Sequence, residues 1–374
     1  VDKISVFCEG TVTVICPVPY CPSFLHRFRR FEKYSLVPAK TKLRGVDVYY
    51  PRYLVLPGKT IFPLLSIFMY LSVSRLFKKN RHILKKCKIL HSQSLLPDGL
   101  AGYWLSRKYA LKNVCTLHGS DINVYPHRNW LTYTFSKHAL NKIQNFIAVS
   151  NKLSERAKNI DPTINTKIIH NGADEGLFRR IDKAIARKKI LLNPKQRYLL
   201  FIGNLLPIKG VDVLLKAFFA VNLPETSLLI VGEGKYRQKY EKMVHLLNLQ
   251  HKVKFVGRIH HKQIPMWASA ADIFVLPSRS EGFPTVLPEM MMCGIPVIAT
   301  DVGGVSEAIV NENTGLLINR DDIDALTSAI LRLLTDSSLY NKLQSNALAF
   351  ARDLSWSELA KETMVTYNTV VFNG

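Results

Sequence analysis

Short, nearly continuous apolar runs recur along the chain, separated by stretches of roughly 10 to 20 residues in which apolar positions return every three or four. In the first half these runs are TVTVIC (11–16), VDVYYP (46–51), KILHSQ (88–93), NVCTLHG (113–119) and NFIAVS (145–150). In the second half they are YLLFIG (198–203), SLLIVG (227–232), VKFVG (253–257), IFVLPS (273–278) and PVIAT (296–300). Strands without polar alternation, each followed by a helical pattern, predict parallel sheets covered on both faces. The expected class is therefore α/β, with two doubly wound units in succession.

The pattern lapses once, in NGADEGLFRRIDKAIARKKILLNPKQR (171–197), a charged and turn-rich stretch that reads as the linker. Its position suits a chain of 374 residues, because single cores stop growing above ~250 residues. The last stretch, LSWSELAKETMVTYNTVVF (354–372), offers Ser355 as an N-cap with Glu358 three residues on, then helical spacing. It predicts a closing helix. Two doubly wound sheets would leave a crevice at the carboxyl ends of their strands, so functional residues are expected in the loops that follow strands.

Charge changes the picture in one respect. Lys plus Arg number 51 against 28 Asp plus Glu, and residues 1–175 hold 27 of the cations with only 10 of the acids. A basic first half suits an anionic membrane leaflet, an acidic substrate or simply a solvated surface. No RNP, KH, zinc-finger or helix-turn-helix pattern accompanies it, so nucleic acid is not an expected partner. The apolar window 61–77 (IFPLLSIFMYLSVSRLF) contains Pro63 and Arg75 and runs into KKNRHILKKCK, which predicts a buried or interfacial helix, not a membrane crossing. Six cysteines (8, 16, 21, 87, 115 and 293) include no CxxC pair and mostly lie in apolar runs, as expected of reduced buried thiols in a cytoplasmic protein. Residues 1–19 lack the basic start and cleavage site of a signal peptide, and with Val1 in first place a natural start upstream is expected.

Four loops carry candidate chemistry. After YLLFIG, the residues Gly203, Asn204 and Lys209-Gly210 lead into an amphipathic helix, an arrangement that can hold a diphosphate at a helix start with Lys209 as counter-charge. The spacing is neither a Walker loop nor GxGxxG, and a turn with a solvated lysine would look similar. Gly232-Glu233-Gly234 reads as a tight turn. In the first half His118, Gly119, Ser120 and Asp121 follow a strand; the imidazole can orient or deprotonate a hydroxyl, and Asp121 can fix its tautomer or cap the next helix. The stretch SRSEGFPTVLPEMMMCG (278–294) sets Glu281 and Glu289 eight positions apart, with Thr285 as a cap and Pro284 in the first turn. Between the acids lie Gly282, Phe283, Pro284, Thr285, Val286, Leu287 and Pro288. Carboxylates grip polyols by charge-assisted hydrogen bonds, so two of them around free amides suit a nucleotide sugar. Two solvated helix-end glutamates are the plainer account of either one alone.

LPSRSEGFPTVLPEMMMCGIPVIATDVGGVSEAI resembles the E-x7-E signature of retaining glycosyltransferases of family 4, which have the GT-B fold: two Rossmann-like domains facing across a crevice. FIGNLLPIKGVDVLLKAF, LLIVGEGKYR, VKFVGRIHHKQIPMWASAADIFVLPS, HGSDI, NGADEGLF and the last helix extend the likeness over most of the chain. The resemblance implies an acceptor-binding domain over 1–172 whose first strand is absent, a linker over 173–196, a nucleotide-sugar domain over 197–352 and a helix over 353–374 packing back towards the first domain. It implies that Glu289 binds the ribose, Glu281 faces the transferred sugar, and the backbone of 283–287 contacts sugar and phosphate. Lys209 would neutralise the diphosphate, with Gly203, Asn204, Arg258 and Gly282 also on the donor side. His118 would line the acceptor side with Gly119, Ser120 and Asp121. Neither a metal nor any other cofactor is implied; Asp321, Asp322 and Asp324 look like a helix start. Asn204 stands where the family commonly has arginine, and Arg258 or Arg279 is the expected substitute. A Gly-rich loop near the start of the family's first domain is not found here.

The expected function is transfer of a hexose, with retention, from a nucleoside-diphosphate sugar (UDP favoured, GDP next) to a glycan or lipid-linked glycan in surface polysaccharide biosynthesis. The expected place is the cytoplasm, docked peripherally on the anionic inner face of the cell membrane. A nucleotide-sugar epimerase on the same fold and a non-catalytic sugar or nucleic-acid binder are the alternatives.

Overall fold

The computed structural model describes residues 2–8, 10–20, 34–55 and 62–372. The chain divides into two units, Val1–Ile169 with Ala360–Gly374, and His170–Leu359.

In the first unit, β6 (Ile89–Ser92), β7 (Lys112–Leu117), β8 (Phe146–Ala148) and β9 (Thr166–Ile168) form a parallel sheet in that order. Buried residues run without a break from Asn113 to Leu117 along β7, which is why its sequence shows no alternation. Preceding them, β1 (Thr13–Ile15), β2 (Val18–Pro19), β3 (Lys40–Leu43), β4 (Val46–Tyr49) and β5 (Arg52–Tyr53) make two smaller sheets, β1-β4-β3 and β2-β5. The β3–β4 pair is antiparallel, an arrangement that apolar runs do not predict, since β3 is the mostly exposed segment KTKL. Arg44 and Gly45, both with positive φ, make its two-residue turn. The helix Leu65–Lys79 buries Met69, Val73 and Phe77 at four-residue spacing, and Phe77 meets Tyr109 edge-on at 5.3 Å. Residue 61 of the apolar window lies outside the described residues. Among the described residues no helix is long and apolar enough to cross a membrane.

In the second unit, β10 (Arg197–Ile202), β11 (Thr226–Val231), β12 (Val253–Gly257), β13 (Ile273–Leu276), β14 (Val297–Thr300) and β15 (Leu316–Ile318) form one parallel sheet in the order β12-β11-β10-β13-β14-β15. The winding direction reverses between β10 and β13, the switch point beside which ligands of such sheets bind. The core is built from both faces, with Leu199, Phe201, Leu228, Ile230, Ile273 and Val275 buried.

The charged stretch before β10 is more structured than its composition predicts. Asp182 caps a helix at Lys183–Lys189, accepting from the Ile185 amide at 3.0 Å. Arg187 is buried, donating to Asp272 (2.8 Å) and to the carbonyls of Ala270 (2.9 Å) and Pro194 (2.8 Å). Its charge is spent internally instead of on solvent. Ser355 accepts from the Glu358 amide at 3.2 Å at the start of the helix Trp356–Phe372, whose residues from Ala360 group with the first unit. Five described cysteines are free; Cys115 and Cys293 are buried, but Cys16 is exposed, contrary to the expectation from its apolar flanks, because β1 is only half-covered. Cys21 lies outside the described residues.

Candidate active site

The switch point brings together two of the predicted loops. From β10 the chain passes Gly203 into a short turn at Pro207–Lys209, and from β13 it passes Pro277 towards Glu281. They touch backbone to backbone: a Cβ on Gly210 (φ +65°) would lie 1.9 Å from the Pro277 carbonyl oxygen, and the Arg279 amide donates to the Ile208 carbonyl at 2.7 Å. Lys209 Nζ then donates to Glu281 Oε1 at 2.6 Å, with side-chain exposures of 24% and 9%.

The Glu281 loop is fixed from its other side by Gly303 and Gly304. Gly303 (φ +58°) leaves no room for a Cβ, which would sit 1.9 Å from the Glu281 carbonyl oxygen, and the Gly304 amide donates to the Gly282 carbonyl at 2.7 Å. Gly232-Glu233-Gly234 backs the β10 loop through the Glu233 carbonyl, which accepts from the Leu205 amide at 3.0 Å. Arg279 forks onto Asp212 (3.0 and 2.7 Å) and reaches Asp321 (2.6 Å). These carboxylates, Asp212 first, hold its charge and raise its already high pKa, and through them Arg279 binds the loops together. Arg258 is exposed and has no ion-pair partner among the described residues; the Asn204 side chain is likewise exposed and unpartnered among them.

Beyond Glu281, Phe283 is buried, its carbonyl accepting from Asn171 Nδ2 at 2.9 Å and its ring lying 4.6 Å from that of His170. The helix Val286–Met292 follows. Thr285 does not cap it: at φ −58°, ψ −26° this residue is already helical, whereas a capping side chain needs an extended backbone to fold back onto the free amides. Leu287 is fully buried and fixes the helix, while Pro284 accepts from the Leu287 amide at 3.1 Å.

Glu289 projects from that helix into a nearly closed environment. Its Oε1 pairs with His261 Nε2 at 3.0 Å, and Phe178 stands edge-on to His261 at 5.2 Å. Burial raises the Glu289 pKa, with His261 opposing. Sequence reasoning did not single out His261 or Asn171. His261 was within reach of it, since the residue sits just beyond the carboxyl end of β12; Asn171 carries no signal apart from the fold.

The remaining predicted residues belong to the first unit. Asp121, buried, receives the amides of Gly119 (2.7 Å), His118 (3.2 Å) and Leu95 (3.2 Å). It therefore neither fixes the His118 ring nor caps the short helix Ser120–Asn123, within which it already lies; its short side chain is used up on the turn. Ser120 is exposed and Gly119 adopts φ +131°. The His118 ring meets Gln93 instead, Nε2 to Oε1 at 3.0 Å. Desolvation lowers the His118 pKa, and Asp121 pulls it back up.

Residues 182–350 match the family profile of Glycosyl transferases group 1, and residues 10–177 match that of Glycosyltransferase Family 4. TuaC of Bacillus subtilis (strain 168), a glycosyltransferase assigned to teichuronic acid biosynthesis, is 30% identical over 324 residues, covering 86% of this chain and 80% of the relative. A sucrose-phosphate synthase from Thermosynechococcus elongatus shares the fold with a TM-score of 0.80 at 24% identity, over 91% of this chain and 87% of that one. Anabaena Alr3699/HepE, solved in complex with UDP, shares it with a TM-score of 0.75 at 18% identity, over 96% and 100%.

Proposed function

The chain belongs to the group 1 glycosyltransferases, and from that premise we propose that it moves a hexose, with retention, from a nucleoside-diphosphate sugar to a hydroxyl of a glycan or lipid-linked glycan. The observation that carries the reading is the Lys209–Glu281 pair beside the switch point of the second sheet. A diphosphate there competes with Glu281 for the ammonium of Lys209. Once the carboxylate is released, it faces the sugar, where positive charge grows as the anomeric carbon parts from the diphosphate oxygen. The acceptor oxygen then bonds to that carbon on the same face, and its proton goes to the departing phosphate oxygen.

Glu289 supplies a carboxylate for the ribose hydroxyls, exchanging His261 for them, and the backbone of 283–287 meets sugar and phosphate. His118, with Gly119, Ser120 and Asp121, serves the acceptor. In this reading Lys209 provides the cation for the leaving group, so no divalent metal is needed. Binding of UDP by Alr3699/HepE favours uridine as the base, and the role assigned to TuaC favours a surface polysaccharide as the product. A basic and apolar face of the first unit suits an acceptor held at an anionic membrane.

Calorimetry against UDP, GDP and ADP, followed by transfer from the matching donor to an acceptor panel, tests the proposal. UDP binding with retained anomeric configuration in the product is expected. Epimerisation of the donor without acceptor would select the epimerase alternative.

A further inference from the structure

A chain of polar side chains runs through the first unit to His118, and the proposed chemistry leaves most of it unused. His91, on β6, contacts Tyr367 Oη through Nδ1 at 2.5 Å and Thr116 Oγ1 through Nε2 at 2.7 Å. Gln93 Nε2 lies 3.4 Å from the same His91 Nε2, and Gln93 Oε1 lies 3.0 Å from His118 Nε2. Tyr367 comes from the last helix and sets its ring edge-on to His91 at 5.6 Å.

With the Gln93 amide nitrogen towards His91 and its oxygen towards His118, one arrangement of protons satisfies all four contacts. Desolvation, with His118 nearby, pushes the His91 pKa down to about 4, so this ring is neutral and carries a single N–H. With two neighbours on Nε2, both able to donate, that N–H sits on Nδ1 and points at Tyr367, whose phenol burial keeps protonated. Thr116 and the Gln93 amide then donate to His91 Nε2. The Gln93 oxygen faces His118, where only an N–H can meet it.

We propose that Gln93 is a positioning residue that fixes neutral His118 as its Nε2–H tautomer, leaving the lone pair on Nδ1, and that His91 and Tyr367 hold Gln93 in that orientation. Its bearing on transfer rests on the acceptor-side reading of His118: the nitrogen offered to a hydroxyl of the acceptor beside the one that attacks would be Nδ1, which has no partner among the described residues. Of the charged and titratable groups around this ring, Asp121 is occupied by backbone amides, Asp98 stands beside Asp121 with its pKa pushed up to about 6 by burial, and His91 is neutral. Gln93 is thus the group whose replacement most directly changes the proton on His118.

The test is a two-bond 1H–15N spectrum of histidine-labelled full chain between pH 5 and 9, with His118→Gln identifying the signal. The wild type is expected to show His118 as Nε2–H. Gln93→Leu should give a mixture of tautomers, and Tyr367→Phe a partial shift in the same direction. Gln93→Glu places a carboxylate against Nε2 and should raise the His118 midpoint by about one pH unit, roughly a tenfold change in protonation. The acid limb of the kcat/KM profile should move with it. A wild-type Nδ1–H signal, or an unchanged midpoint in Gln93→Glu, would overturn the proposal. Gln93 is exposed, so its variants are expected to fold, which thermal melting checks. If the spectra behave as expected while His118→Gln transfers sugar normally, the tautomer inference stands and the acceptor-side reading fails.

Discussion

Lys209 Nζ and Glu281 Oε1, 2.6 Å apart, join the two loops that leave the strands on either side of the switch point. Each charge is compensated by the other while no donor is bound, so removing either partner also frees the other. Lys209→Ala is expected to lower both UDP affinity and kcat/KM, the latter by about 10² to 10³, typical of losing a cation or donor at developing charge. Glu281→Ala should lower kcat by a similar factor but leave UDP affinity unchanged or slightly higher, because Lys209 is freed for the diphosphate. Calorimetry with initial rates checks this. Equal losses of affinity and turnover in Glu281→Ala would remove the division of roles.

Glu289 is a carboxylate whose burial costs stability. Its folded pKa lies above the ordinary glutamate value, so the folded state binds a proton more tightly than the unfolded chain, and stability falls as pH rises through that raised pKa. Glu289→Gln removes the penalty while still accepting from His261. Its melting temperature should exceed wild type at pH 8, and the difference should vanish below the ordinary carboxylate range. UDP affinity should meanwhile drop roughly ten- to a hundredfold, the loss of a charge-assisted hydrogen bond or two. Wild-type affinity should itself weaken on the acid side, as the carboxylate takes up its proton. A variant less stable at pH 8 that binds UDP normally would contradict both halves.

The sequence made the second unit easier to read than the first. Runs such as YLLFIG and IFVLPS are strands buried on both faces, so composition alone marks them, and their following loops contain Lys209 and Glu281. The polar hairpin strand β3 and the short β2, β5, β9 and β15 give no such signal. Side-chain pairing was less legible still. That Asp121 would serve three backbone amides, or that Arg279 would be absorbed by Asp212 and Asp321, depends on distances between segments far apart in the chain. The same is true of His261 against Glu289.

Gly303 tests whether the Glu281 loop must be held where it is. A Cβ there would lie 1.9 Å from the Glu281 carbonyl oxygen and would also require φ +58° of an L-residue. Gly303→Ala should therefore displace Glu281 and Gly282, destabilising the protein by roughly 1 to 3 kcal/mol and lowering kcat more than UDP affinity. Denaturant melts and initial rates together check the claim. Turnover at the wild-type level would show that the contact does not set the position of Glu281.

Charge at the leaving group gives a separate expectation. If Lys209 alone meets the diphosphate, transfer after exhaustive EDTA treatment should match the untreated rate. A rate restored only by added Mg2+ or Mn2+ would assign that charge to a metal.

The last expectation concerns the face formed by the helix Leu65–Lys79. Ile67 and Leu71 are exposed on it, and Arg75, Lys78 and Lys79 follow within two turns, with Lys85 and Lys86 just beyond. Exposed apolar side chains next to clustered cations suit an anionic leaflet, where each cation near the surface contributes ~1 kcal/mol and salt screens the effect. Co-sedimentation with phosphatidylglycerol vesicles should be strong at low salt and weak with neutral vesicles. Lys78→Glu with Lys79→Glu should lose most of it, while Leu71→Ser should lose less but leave binding more salt-sensitive. Transfer to a soluble acceptor should be unaffected, since none of these residues lies in the proposed site. Sedimentation that ignores lipid charge, or survives the double charge reversal, would separate the basic helix from any membrane role.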